Sequence, residues 1–135
     1  MDLFRRRRFG YFGRFLLMEK NMEISLLFDF YGQLLSEKQH EAVLLYVNDD
    51  LSLSEVATEM GITRQGVRDL VKRSEAELYE YERKLGLLRR FEEVEKSAQS
   101  ILLLSAEVEN SSDPQMKLLG SRIKQLAKAL TEQEA

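Results

Sequence analysis

The chain has 135 residues, of which 44% are hydrophobic and 32% charged, as is typical of a folded helical protein and not of a disordered one. A single proline and seven glycines supply few of the turns that a many-stranded sandwich or barrel needs, which disfavours an all-β fold. Cysteine is absent, which excludes disulfides, and no apolar run reaches the roughly 18 residues that span a bilayer. We expect a cytoplasmic protein without membrane insertion.

The formal net charge of -3 conceals an uneven distribution. Residues 1–17 carry five arginines and one acid, whereas the remainder carries 15 basic and 22 acidic residues, a net charge of -7. A body this acidic repels phosphate unless its basic residues gather on one surface.

The basic start, residues 1–17, interleaves arginines with aromatic residues. Arginine neutralises phosphate and aromatic rings stack on bases, so one interpretation is an arm that binds nucleic acid or anionic lipid. The alternative is a non-native or disordered extension, because the composition changes abruptly at Met18 and Gly13-Arg14 could be encoded by a purine run resembling a ribosome-binding site. We expect Met18 to be the start, with Met22 as a second candidate.

The first predicted element is a helix over residues 19–35. Its apolar residues recur at three- and four-residue steps, which predicts a helix with one buried face. The residues predicted for that face are Met22, Leu26, Leu27, Phe30 and Leu34.

Capping signals divide the next part of the chain. Residues 36–39 fit a capping box that opens a second helix, which ends at the turn-forming residues 48–50. Residues 52–55 form another capping box before a short third helix, which Gly61 ends.

A longer helical region follows. Thr63 can cap a fourth helix that continues to about Arg90 or beyond, with Gly86 as its weakest point. Residues 110–114 are a clear break, and a last amphipathic helix follows them. Its apolar residues are Met116, Leu119, Ile123, Leu126 and Leu130.

The most informative stretch, residues 51–73, has the pattern of a helix-turn-helix. That motif needs a small residue where its helices touch, a glycine in the turn and apolar anchors. Ala57 supplies the small contact and Gly61 the turn, although a structural helix hairpin would satisfy part of the same pattern. The anchors are Val56, Met60, Ile62, Val67 and Leu70.

The second helix of this motif carries a basic stripe, because Arg64, Arg68 and Lys72 lie at four-residue steps. Residues 63–73 hold four basic groups and one acid, a local excess that suits a phosphate-facing surface. The alternative is a solvated face paired with the acids that follow it. The predicted nucleic-acid contacts are Arg64, Gln65, Arg68, Lys72 and Arg73.

Residues 34–73 resemble region 4 of bacterial sigma factors. The wider span from about residue 18 to 108 resembles the YlxM-like family, small bacterial proteins associated with the signal recognition particle, through residues 28–39, the helix-turn-helix and residues 72–80. The resemblance implies an all-helical sigma-region-4-like domain, nucleic-acid binding and a regulatory role beside the targeting GTPases.

The sequence departs from that family at two places. Gly66 stands inside the predicted recognition helix where the family commonly has alanine, at a cost of about 1 kcal/mol. The region after about Lys96 matches poorly, so nothing is carried over to it.

Self-association through the long helix is a further hypothesis. Its apolar stripe alternates four- and three-residue steps, which is the spacing of a coiled-coil seam, and packing within one chain explains part of it. The seam residues are Val67, Val71, Ser74, Leu78, Tyr81, Leu85 and Leu88.

Nothing in the sequence predicts an enzyme. His40 is the only histidine, so neither a metal cluster nor a histidine-based triad can be assembled, and no phosphate loop is present. We predict no catalytic residue, no metal and no cofactor.

The sequence therefore predicts an all-α protein in three parts: a basic extension (residues 1–17), a helix-turn-helix head (18–75), and a long helix with a helical appendage (76–135). Its predicted function is non-catalytic, regulatory nucleic-acid binding linked to the signal recognition particle. A protein–protein adaptor is the alternative from another class. A DNA-binding transcription regulator is a third hypothesis, which the lack of a second domain weakens.

Overall fold

The computed structural model describes residues 20–132, so the predictions for residues 1–17 and Met18 lie outside the described residues. This part of the chain contains helices and no strand, which confirms the all-α class. Its elements are α1 (Lys20–Tyr31), a 3-10 turn (Gly32–Leu34), α2 (Glu37–Val43), a π-helical turn (Leu44–Asn48), α3 (Leu53–Met60), α4 (Arg64–Leu85), α5 (Leu87–Glu109) and α6 (Pro114–Thr131).

These helices belong to two compact units that divide between Leu88 and Arg89. We call residues 20–88 the head and residues 89–132 the tail. The division predicted from the sequence, after residue 75, lies inside α4.

The buried face of α1 differs from the one that the sequence predicts. Leu26 and Leu27 are buried as expected, but Met22 and Leu34 are 41% and 55% exposed. The face that packs instead consists of Ile24, Leu27, Phe28 and Tyr31. Apolar residues surround this helix on several sides, so periodicity alone does not select a face, and α1 ends before Leu34, which lies in the 3-10 turn.

The predicted caps form at the starts of α2 and α3. Ser36 Oγ accepts a hydrogen bond from the Gln39 amide at 3.3 Å, and the Gln39 side chain accepts one from the Ser36 amide at 3.1 Å, which completes the capping box. Ser52 Oγ accepts from the Glu55 amide at 3.1 Å, which is the serine half of the second predicted box. Each bond satisfies an amide that the helix itself cannot pair.

Helix α4 is the element on which the head is built, because α1, α2 and α3 all pack against it. Its buried ridge consists of Val67, Val71, Ser74 and Leu78. Near the start of α4 the ridge joins an apolar cluster with α2 and α3, and near its end it joins a second cluster with α1. Most of the seam predicted for self-association is therefore buried by packing within the head, although Leu85 is 55% exposed.

The sequence predicts one helix that continues past Gly86 to about Arg90 or beyond. In the structure, this helix is broken at Gly86. Gly86 adopts a left-handed conformation with φ of +61°, which ends α4, and α5 begins at the next residue. Glycine is the residue that takes this conformation at least cost, so the weakest point of the predicted helix is where it breaks.

A polar network explains why the break is stable. The hydroxyl of buried Tyr31 donates to Glu82 Oε1 at 2.7 Å and accepts from the Leu87 amide at 3.0 Å. The same Glu82 oxygen accepts from the Leu88 amide at 2.9 Å. Two amides of the first turn of α5 are therefore satisfied by side chains of α1 and α4. Burial and the bond to Glu82 raise the pKa of Tyr31.

Tyr31→Phe should destabilise the head by about 1–3 kcal/mol, because it removes a buried hydroxyl that serves both a carboxylate and a backbone amide. The matched control is Tyr79→Phe, whose hydroxyl donates to Glu23 at 2.8 Å from a side chain that is 37% exposed. The control should cost less than about 1 kcal/mol. Urea unfolding followed by circular dichroism measures both values, and equal losses would contradict this role for the network.

Candidate nucleic-acid interface

Helices α3 and α4 and the turn between them form the predicted helix-turn-helix. Gly61 lies in the left-handed region with φ of +66°, and the Ile62 amide donates to the Ala57 carbonyl at 3.1 Å. Thr63 then caps α4, because its Oγ1 accepts from the Gly66 amide at 3.0 Å. The turn glycine and the threonine cap are both confirmed.

The predicted anchors meet in one apolar cluster. Val56 and Val67 are completely buried, and Met60, Ile62 and Leu70 are half-buried against them. Ala57 is also half-buried in this cluster, in keeping with its predicted place at the helix contact.

Helix α2 and the π-helical turn also contribute to this cluster, although the sequence pattern does not assign them to the motif. Ala42 of α2 is fully buried in it, and Leu45 and Tyr46 of the π-helical turn pack against it. These residues fall within the second predicted helix, but their positions in the sequence do not indicate which helices they pack against.

Gly66 lies in the first turn of α4, close to the cap. A Cβ at this position would lie 3.1 Å from Thr63 Oγ1, which is closer than most real Cβ contacts. Alanine there would gain helix propensity but would crowd the capping hydroxyl. The glycine therefore suits the local geometry better than the propensity cost alone indicates.

The basic stripe lies on the exposed side of α4. The side chains of Arg64, Arg68 and Lys72 are all exposed, and at 1.5 Å per residue the stripe extends about 12 Å along the helix axis. Arg73 is exposed beside it. Gln65 donates to Asp69 at 3.0 Å, so the one acid of this surface is held by a neutral neighbour.

The described acids do not neutralise this stripe. Within residues 20–132, Arg64, Arg68 and Lys72 form no salt bridge with a carboxylate. Glu77 accepts instead from Gln39 of α2 at 3.1 Å. The surface thus presents three cations to solvent, against the alternative of a fully paired helix face.

About two turns beyond Lys72, acids and bases of α4 do pair. Glu80 accepts from Arg83 at 2.6 Å and lies 3.6 Å from Lys84. The hydrogen bond from Arg83 lowers the pKa of Glu80 to about 2. The cations of α4 therefore differ along its length: those near its end are paired, and those of the basic stripe are not.

Metal binding and membrane insertion are two properties that the sequence argues against. No group of three or more His, Asp or Glu side chains in the described residues could hold a metal ion. His40 packs its ring on Phe28, with ring centroids 4.7 Å apart. Over the same part of the chain, no helix has the length and apolar character needed to cross a bilayer.

Comparison with known proteins identifies the family. Residues 18–118 match the model of the UPF0122 family, described as "Putative helix-turn-helix protein, YlxM / p13 like". The chain belongs to this family. The match extends well past Lys96, where the sequence analysis finds little resemblance, and so includes α5 and the start of α6.

Curated UPF0122 proteins are similar to the chain over most of its length. Those of Bacillus cereus strain AH187, Bacillus anthracis strain A0248 and Bacillus thuringiensis subsp. konkukian strain 97-27 are each 42% identical over 110 residues. The match covers 82% of this chain and 99% of each relative. The family's helix-turn-helix description agrees with the geometry of α3 and α4 and is consistent with nucleic-acid binding.

Two substitutions at Gly61 test the geometry of the turn. A Cβ there would meet nothing within 4 Å, so any loss of stability comes from backbone strain at φ of +66° and not from a clash. Gly61→Val should therefore be more destabilising than Gly61→Asn, because asparagine tolerates the left-handed region and a β-branched residue does not. Thermal unfolding measures the difference. Equal melting temperatures for the two variants would show that the turn is misplaced.

Proposed function

We propose that this UPF0122 protein is a non-catalytic, cytoplasmic regulator that binds nucleic acid and acts with the signal recognition particle. The observation that carries the proposal is the stripe of Arg64, Arg68 and Lys72 on the exposed side of the second motif helix, which no carboxylate among residues 20–132 pairs with. Nucleic-acid binding proteins concentrate cations in this way even when the rest of the chain is acidic.

The helix that carries the stripe suits a groove of nucleic acid. A duplex DNA major groove is about 12 Å wide and admits an α-helix, and the second helix of a helix-turn-helix is the one that enters it. The cations would neutralise phosphates and so set the position of the helix. Gln65, together with the arginines, has the donors to contact base edges, and Arg73 would reach phosphate beside them.

The link to the signal recognition particle rests on family membership. The sequence resembles YlxM-like proteins from about residue 18 to 108, and the family model that matches the chain is described as "YlxM / p13 like". For such proteins the resemblance implies a regulatory role beside the targeting GTPases. The RNA of the particle is accordingly the first nucleic acid to test.

A protein adaptor is the second candidate, and one observation favours it. Glu55 and Glu59 are exposed on α3, the other helix of the motif. These acids would repel phosphate, whereas a protein surface of mixed charge could pair with both helices. The two functions differ in their dependence on salt, because release of counterions from nucleic acid makes that binding steeply salt-dependent.

The decisive variant is the triple change Arg64→Gln, Arg68→Gln and Lys72→Gln. None of the three side chains is buried, so the fold should remain intact. Each lost phosphate contact should reduce the slope of log affinity against log salt by about 0.9 on duplex DNA and about 0.7 on a single strand. Fluorescence anisotropy with labelled signal-recognition-particle RNA and a random duplex, across a salt series, measures both slopes.

A matched control removes the same charge elsewhere. Lys117→Gln, Arg122→Gln and Lys128→Gln change three exposed cations of α6, and they should leave the slopes unchanged. Preference of the parent for the RNA over the duplex would support the targeting role. If the α4 triple variant binds every nucleic acid as the parent does but loses a protein partner, the adaptor function is correct and the contact assignment is wrong.

A further inference from the structure

The tail is a helical hairpin whose two helices meet through small residues. The buried residues at this seam are Ala98 and Ser105 of α5 and Gly120 and Ala127 of α6, seven residues apart on each helix. A Cβ at Gly120 would lie 2.7 Å from the Glu109 amide nitrogen and 3.0 Å from the Ser105 carbonyl oxygen. The backbones therefore lie so close that large side chains have no room between them.

The large apolar side chains lie outside this seam. Leu104, Leu119 and Leu126 are 61%, 48% and 70% exposed. Each of these leucines directly precedes a seam residue in the sequence. Because successive residues of an α-helix are about 100° apart, each leucine is displaced from the seam by about that angle, in the same direction around its helix. Because the two helices run in opposite directions, that shared sense brings the leucines of both helices to one face of the hairpin. We call it the leucine face.

Helix α6 contributes most of the leucine face. Its apolar residues on this face alternate three- and four-residue steps, which is the spacing of a seam that packs against a facing helix. They are Met116, Leu119, Ile123, Leu126 and Leu130. With Leu104 of α5, they expose on the order of 500 Å² of apolar surface, at the upper range for a patch that a monomer leaves uncovered.

The charges of α6 indicate what does not cover this face. The helix holds basic residues and no acid, but Lys117, Lys124 and Lys128 lie on the other side of the small-residue seam from the leucines. Lys124 Nζ lies 3.7 Å from Glu109 Oε2 of α5. A nucleic acid would need those cations on the leucine face, and the arrangement separates them from it.

We propose that the leucine face pairs with the leucine face of a second copy of this chain. Two hairpins packed face to face about a two-fold axis form a four-helix bundle, in which each heptad stripe of α6 has a facing helix. The pairing would bury about 1,000 Å², which is at the lower limit for a specific interface, so we expect a weak dimer.

This pairing would place two helix-turn-helix motifs in one particle, independently of which partner those motifs bind. It also differs from self-association through the α4 seam, because most of that seam is buried in the head. The proposal therefore goes beyond the proposed function and can fail or succeed separately from it.

Sedimentation of the full chain at roughly 10–100 µM, a range chosen for a weak dimer, tests the proposal. The parent should show twice the mass of one chain. The pair Leu104→Glu and Leu126→Glu should be monomeric, because it places charge in the interface. The matched pair Leu103→Glu and Leu118→Glu, changed from leucines that are 73% and 57% exposed but point away from the leucine face, should stay dimeric. Circular dichroism checks that both pairs keep their helix content.

A second measurement does not depend on the folding of these variants. The chain has no cysteine, so Leu119→Cys or Leu126→Cys introduces a single thiol on the face, and Leu118→Cys introduces one outside it. A bis-maleimide reagent that spans about 10 Å, the distance between packed helices, should link the face variants and not Leu118→Cys. A monomeric parent would overturn the proposal, and so would a dimer that both glutamate pairs leave intact or one that cross-links equally through Leu118→Cys.

Discussion

The architecture of the head depends on one buried ridge along α4. Val67 and Val71 hold the helix-turn-helix cluster together, and Leu78 joins the same helix to α1 two turns later. A single stiff helix therefore fixes the position of the cation-bearing surface relative to α1. The exposed stripe and the buried ridge occupy different sides of that helix, so the requirements of packing and of binding do not compete for the same residues.

Much of the head could be predicted from the sequence because its signals are local. A serine that caps a helix, a glycine in a left-handed turn and a set of anchors within 18 residues each depend on neighbours in the chain. The buried face of α1 could not be predicted in the same way. The hydroxyl of Tyr31 can be buried because it donates a hydrogen bond to Glu82. A pattern of apolar spacing contains no information about this partner, which is 51 residues away.

The candidate interface shows the same division between local and non-local information. The spacing of Arg64, Arg68 and Lys72 places them on one side of a helix before any coordinates are known. Their lack of carboxylate partners among the described residues depends on the side-chain contacts of the folded chain, which spacing alone does not give. In the tail, the sequence predicts an amphipathic α6, but only the close approach at Gly120 shows that its leucines stay outside the hairpin.

The span of the head's hydrogen bonds has a consequence for the order in which it folds. The cluster between α3 and α4 joins residues that are close in the chain, whereas the bonds from α1 to α4 and to the start of α5 close loops of 51 and 56 residues. Closing a long loop costs more chain entropy, so we expect the α3–α4 motif to form first and α1 to dock onto it later. The docking of α1 also completes the capping of α5 through Tyr31, and in native-state hydrogen exchange α1 would open without unfolding the motif.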